Sequence, residues 1–208
     1  MNPQSPAGAR AAEVYLASAS PRRRELLAQI GVAHQVLQVP APPGEDEPWY
    51  PGETAADYVQ RTAMEKAERA VAWIHRERLP ALPVLAADTT VIKDGQVLGK
   101  PADRDDARRI LRMLSGSRHE VRTAVVLAQG ERRDMLVSVT SVELRELSEE
   151  EILRYCDSGE PWGKAGAYGI QGLAGSFVAR IEGSYTGVMG LPLYETAELL
   201  RMAGIGRP

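Results

Sequence analysis

Apolar positions alternate between two spacings along the chain, and turn residues punctuate the changes. A short apolar run at 14–18 reads as a strand entering a turn. Ser20 then stands as N-cap and Pro21 at the first position of a helix, with Leu26, Leu27 and Ile30 as its buried stripe and Gly31 at its end. A second strand is predicted over 36–39. Thr54, with Asp57 three residues on, opens a long helix that runs to Leu79 and stops at Pro80. Residues 83–88 predict a buried strand, and 89–93 with 96–98 a hairpin around Asp94-Gly95, a type I′ signature. Asp103 caps a helix through Leu114, which Gly116 ends. Residues 119–128 and 132–144 predict two long antiparallel strands joined near Gly130. Ser148 and Glu151 form a capping box for another helix, residues 159–175 are Gly-rich and irregular, and 177–181 reads as a strand. Pro192 opens a last helix, ended by Gly204. Strands and helices alternate with hairpins between them, so the fold class is α/β with a mixed sheet.

Length adds that 208 residues suffice for one sizeable core without disulfides or a structural metal. We divide the chain into a disordered tail, residues 1–12, and a single catalytic domain, residues 13–208. The net charge of −3 excludes a strongly basic nucleic-acid or membrane-surface protein. The single cysteine, Cys156, excludes an intramolecular disulfide and a Cys-rich zinc site, and its helical position suits packing. No apolar stretch approaches the ~18–20 residues of a membrane span, and the N-terminus lacks a signal-peptide run, so a cytoplasmic protein is expected. Of 25 basic residues only four are lysines, Lys66, Lys93, Lys100 and Lys164, which makes each lysine a candidate for a specific task.

Four constellations could carry chemistry. Ser18-Ala19-Ser20-Pro21-Arg22-Arg23-Arg24 places hydroxyls and guanidiniums at a strand-to-helix turn. Positive side chains in a first helical turn oppose the helix dipole unless an anion is present, so the turn points to phosphate binding against a plainly solvated Arg run. Asp88 follows the apolar run 84–87, near the end of its predicted strand, where it could hold a divalent cation, orient water, or simply satisfy turn N–H groups. Lys100, in Gly99-Lys100-Pro101, returns along the hairpin toward Asp88 and could neutralise phosphate oxygens as a point charge. The glycines at 163–172 surround Gln171, whose amide can read a base edge; the spacing fits neither a Walker loop nor a dinucleotide fingerprint. Lys66 reads by itself as helix surface, and His34, His75 and His119 are unclustered. Cations, hydroxyls and metal-capable acids together are what phosphoanhydride cleavage requires, and an acid-plus-arginine set also occurs in pure anion-binding proteins.

The chain resembles the Maf family of nucleoside triphosphate pyrophosphatases from about Val14 to Leu200. Six motifs carry the likeness in order: Ser18 to Arg23 with Glu25-Leu26-Leu27; Ala87-Asp88-Thr89; Gly99-Lys100-Pro101; Leu114-Ser115-Gly116 with His119 and Thr123; Lys164 to Gly172; and Gly183-Ser184-Tyr185 with Gly190-Leu191-Pro192-Leu193. The resemblance implies hydrolysis of a nucleoside triphosphate to monophosphate and pyrophosphate with Mg²⁺ or Mn²⁺. It implies Asp88 as catalytic carboxylate and metal ligand, and Ser18, Arg23, Lys66 and Lys100 as phosphate-holding residues. Glu47 matches an acid near the metal, with Glu45 and Asp46 beside it. The implied fold is an elongated mixed β-sheet flanked by helices, with two lobes and a central cleft, and a homodimer is the implied assembly. One branch of the family prefers dTTP and UTP and a sister branch 7-methyl-GTP. Arg22, Thr89 and Gln171 follow the first pattern, and the resemblance gives them the base. Modified pyrimidine nucleotides, 7-methyl-GTP, and a nucleotide-binding regulator of cell division tied to septum formation are the alternatives.

Overall fold

A computed structural model describes residues 11–40 and 47–205. In chain order the elements are β1 (Val14–Leu16), α1 (Pro21–Gln29), β2 (His34–Val36), α2 (Ala55–Arg76), β3 (Val84–Lys93), β4 (Gln96–Leu98) and α3 (Arg104–Leu114). There follow β5 (Arg118–Gln129), β6 (Arg132–Leu144), α4 (Glu149–Asp157), β7 (Val178–Glu182), α5 (Tyr185–Met189) and α6 (Leu193–Met202). Two short 3₁₀ turns, Ala165–Ala167 and Leu173–Phe177, lie in the Gly-rich stretch.

The strands form one mixed sheet in the order β2-β1-β3-β5-β6-β7. β1 runs parallel to β2 and β3, and the remaining pairs are antiparallel. β4 joins the same edge of β3 as β1 but farther along, at Val91 to Lys93. β1 pairs only as far as Leu16 with Leu85, and Ala17 N–H then donates to the Leu85 carbonyl. Between Leu85 and Val91 no strand among the described residues lies beside that edge of β3. This gap is the feature around which the site is built.

Period-two alternation along β3 assigns its two faces. Leu85 and Ala87 pack with α1 and α6, including Leu26, Leu27, Leu199 and Leu200. Val84 and Ala86 face α2, whose small residues Ala63, Ala67 and Ala70 let the helix lie close to the sheet. A third cluster joins α3 and α4 to the other end of the long strands, through Ile110, Leu114, Val121, Val142 and Tyr155. The fold is thus the mixed α/β sheet that the strand and helix pattern predicts, with the two lobes that the resemblance implies. β3, β5 and β6 run through both lobes.

Several boundaries move for local reasons. The predicted strands 83–88 and 89–93 are one continuous strand, so Asp88 lies mid-strand instead of near an end. β2 lies at His34–Val36, earlier than the predicted 36–39. α2 ends at Arg76, short of Leu79, because Arg78 adopts a left-handed φ of 52° and the Leu79 N–H returns to the Ile74 carbonyl. Ser20 occupies the N-cap position without a side-chain capping bond, and Ile30 is only partly buried. α5, five residues long and capped by Ser184, has no counterpart among the predicted elements. The Asp94-Gly95 hairpin has positive φ at both residues (49° and 77°), as a type I′ turn requires. Cys156 is buried in packing, as expected. No helix among the described residues is long and apolar enough to cross a membrane. Of the predicted tail only residues 11 and 12 are described, and Glu45 and Asp46 lie outside the described residues.

Candidate active site

Asp88 stands at the gap in the sheet. Alternation places its side chain on the α2 face, where it is 5% exposed. Thr62 and Lys66, one helical turn apart on α2, both reach it. Lys66 Nζ lies 2.5 Å from Asp88 Oδ1 and 2.5 Å from Glu47 Oε1. Asp88 Oδ2 accepts from the hydroxyls of Thr62 (2.9 Å) and Thr90 (3.4 Å). Burial pushes the Asp88 carboxyl up, but the Lys66 ammonium, then Arg23 and the Thr62 hydroxyl, outweigh it and hold it below the ordinary carboxylate range. Lys66 is therefore no surface lysine. It bridges two carboxylates at the cleft floor, a role that depends on the helix-to-sheet register and has no local sequence signal.

Thr89, one residue on, faces the opposite side and meets α1. Arg23 spans this side: its Nη1 donates to the Ala87 carbonyl (2.8 Å) and to Ser18 Oγ (3.3 Å), its Nε to the Gly190 carbonyl (2.7 Å), and its Nη2 to Thr89 Oγ1 (3.3 Å). The Pro83 and Leu85 carbonyls on this edge accept from Tyr15 and Ala17 of the first strand segment. Arg23 takes the next carbonyl where β1 has left, so a guanidinium continues the ladder. Burial lowers the Arg23 pKa, and Asp88 opposes that shift. Arg22 Nε donates to the Met189 carbonyl at 3.2 Å. The dipole conflict noted in the sequence is resolved this way: both side chains turn from their own helix start to carbonyls at the end of α5. Four of the five Arg23 N–H groups serve the protein, which makes it a strut as much as a phosphate ligand.

Glu47 is brought to Lys66 by a clamp on the outer side of α2. Arg61 donates to both oxygens of Glu53 (2.6 and 2.9 Å), to Glu65 and to the Pro48 carbonyl (2.7 Å), and stacks over the Tyr50 ring at 4.1 Å. Tyr58 Oη donates to the Glu47 carbonyl at 3.2 Å, and its ring stacks on Trp49. The spacing Tyr58, Arg61, Thr62, Lys66 divides one helix between holding the segment 47–53 and holding Asp88. Arg61→Ala should release that segment, raising amide exchange at 47–53 while leaving exchange in β3 and β5 unchanged. A variant with wild-type exchange at 47–53 would show that the clamp is dispensable.

The opposite wall comes from the Gly-rich stretch. Gly166 adopts φ 70°, and a Cβ there would meet Val91 at 2.8 Å, so glycine is what lets this loop lie against β3. The Gly166 N–H donates to the Gly99 carbonyl, which sets Lys100 beside the loop. Lys100 lines the cleft, as predicted, and so do Ser18, Arg22, Arg23, Glu47, Lys66, Asp88 and Thr89. Gln171 is exposed and off the cleft wall; Lys164 stands on the wall with its stem packed against Gly169. Desolvation lowers the Lys164 pKa, and Arg22 adds to that shift. His119 bonds Tyr168 Oη at 2.8 Å, and burial, with Lys93, draws its pKa down to about 4, so it is a neutral packing residue.

The cleft encloses about 1060 Å³. Among the described residues no group of three His, Cys, Asp or Glu side chains gathers there. Two carboxylates converging on one cation form a hard oxygen pair of the kind that suits a divalent ion. Asp88 and Glu47 therefore fit Mg²⁺ or Mn²⁺. A floor of carboxylates under walls of Arg and Lys can hold a polyanion and place an ionised oxygen beside its phosphorus.

The chain is similar to known proteins over most of its length. A Bordetella avium protein named dTTP/UTP pyrophosphatase is 69% identical over 94% of this chain and 97% of its own. A Bordetella parapertussis protein of the same name is 70% identical over 94% of each chain. One from Cupriavidus metallidurans, also of that name, is 53% identical over 92% of this chain and 97% of its own. A looser structural likeness, 15% identical with a TM-score of 0.42 over 63% of this chain and 71% of the other, is to the Staphylococcus aureus Ham1 protein. The family profile described as Maf-like protein matches residues 13–203, and the chain belongs to the Maf family.

Proposed function

We propose that the chain hydrolyses dTTP and UTP to the monophosphate and pyrophosphate, removing them or their modified forms from the cytoplasmic nucleotide pool. The observation that carries this reading is Asp88, buried and ionised in a sheet gap, with Lys66 and Arg23 acting on its carboxylate and Lys100 on the wall of the same cleft. In the reaction a water oxygen bonds to the α-phosphorus, the α–β bridging bond breaks, and the electron pair leaves on pyrophosphate. A carboxylate held below its ordinary range is a weak base, so Asp88 is better suited to orienting the water and ligating metal than to keeping the proton. Mg²⁺ or Mn²⁺ held by Asp88 and Glu47 would supply Lewis acidity toward the phosphate oxygens. Ser18 and Lys100 hold phosphate oxygens, and Arg23 contributes charge and its one spare N–H. Arg22 and Thr89 line the same cleft and would frame the base. The names of relatives up to 70% identical support the pyrimidine substrates.

Purified protein with Mg²⁺ or Mn²⁺ should release pyrophosphate, with no orthophosphate, from dTTP and UTP well ahead of CTP, GTP and 7-methyl-GTP. Preference for 7-methyl-GTP would keep the chemistry and overturn the substrate. Nucleotide binding without any release would favour a regulatory binder.

A further inference from the structure

The position between Asp88 and Glu47 that suits a divalent cation holds the Lys66 ammonium, 2.5 Å from an oxygen of each carboxylate. The other Asp88 oxygen is engaged by Thr62 and Thr90, so Oδ1 is the one left to exchange partners. Among the described residues, the Asp88 and Glu47 carboxylates are already matched by Lys66 and by Arg23, whose charge acts on both. Adding a dication beside an ammonium in this half-enclosed place would leave two excess positive charges in close repulsion. A triphosphate changes the balance, because its oxygens offer Lys66 a new partner. The four-carbon stem of Lys66, partly exposed to the cleft, lets the ammonium reach out without moving α2.

We propose that Lys66 is a resident stand-in for the metal: it occupies the carboxylate pair while the cleft is free of nucleotide and yields it when a triphosphate arrives. Metal then binds with the nucleotide or after it, and the empty enzyme does not accumulate metal. The proposal rests on the reading of the cleft as a nucleotide site. It adds an order of binding and a second task for a lysine otherwise given only to the phosphates.

The test is direct Mn²⁺ binding to the full chain, by calorimetry and by the electron paramagnetic resonance signal of free Mn²⁺, with no nucleotide present. Wild type should bind about ten-fold or more weakly than Lys66→Met, since the variant removes a unit charge from beside the ion. Lys66→Arg, which keeps a cation, should bind as weakly as wild type. The gain in Lys66→Met should vanish when Asp88→Asn is added. Wild type and Lys66→Met binding Mn²⁺ equally without nucleotide would overturn the proposal. If Lys66→Met does not fold, wild type alone decides: nucleotide-free Mn²⁺ binding as tight as that in the presence of α,β-methylene-UTP, a triphosphate that cannot be cleaved at the α–β bond, would overturn it, and a gain beyond the analogue's own affinity for Mn²⁺ would support it. Failure of the analogue to bind would count against the nucleotide reading, while the comparison of wild type with Lys66→Met would still decide the order of binding.

Discussion

Asp88→Asn should lower pyrophosphate release by about 10³-fold or more while leaving the protein folded. The amide is nearly the same size, and β3 is fixed by its ladder to β5 at Asp88 with Ala124, so the backbone has no reason to move. What is lost is the negative charge that Lys66 and Arg23 face and the site would offer to water and metal. The same substitution has a readout in stability. The Asp88 carboxyl lies below its ordinary range in the folded protein, so its contribution is fully present above the unfolded value of about 3.9 and fades as the pH falls through the lower folded value. The stability difference between wild type and Asp88→Asn should thus be constant near neutrality and shrink below about pH 4. Urea denaturation at a series of pH values measures it. Near-wild-type turnover by the folded variant would remove Asp88 from the chemistry, and a difference independent of pH would remove its ion pairs from the stability.

Arg23→Ala should be the most damaging single change to the fold. The guanidinium joins the strand-to-helix turn at Ser18, the β3 carbonyl of Ala87, Thr89 and the α5 end at Gly190. Truncation leaves two carbonyls without their donor and removes a positive charge from beside Asp88. The expected cost is about 3–5 kcal/mol, which for a chain of this size corresponds to a fall in Tm of about 6–20 °C. Arg23→Lys should recover little, because one ammonium cannot span acceptors lying in several directions. Thermal denaturation of the three proteins tests this; an Ala variant melting within about 2 °C of wild type would show that the strut carries no load.

What could be read from the sequence divides along physical lines. Elements set by local chemistry were legible: Asp103 caps α3 by accepting from the Asp106 N–H, Ser148 and Glu151 form their box, and Asp94-Gly95 turns the hairpin. Asp88, Lys100 and the Ser18–Arg23 turn were legible as candidate chemistry, because a polar residue after an apolar run and cations at a helix start are local conflicts. The rest depended on register. Lys66 and Thr62 face Asp88 only because α2 lies across the sheet with its alanines inward. Continuity of β3 was hidden because its neighbour changes from β1 to β4 partway, and so does the pattern of polar residues. Gln171 was singled out by its amide and by resemblance, while the backbone turns at 163–172 that carry it outward are a tertiary outcome. The five residues of α5 are too few to show a helical period.

The interrupted edge of β3 has a consequence for self-association. An edge strand with unpaired peptide groups is a template on which another chain can add a strand, and proteins ordinarily blunt such edges with charge or cover. Here the open stretch is only a few residues long, recessed between β1 and β4, and its Ala87 carbonyl is already taken by Arg23. An extended segment from a second molecule would need to enter a slot closed at both ends and displace a guanidinium. The protein can therefore leave part of a central strand open to small anionic ligands without offering it to its own copies as a seed for aggregation.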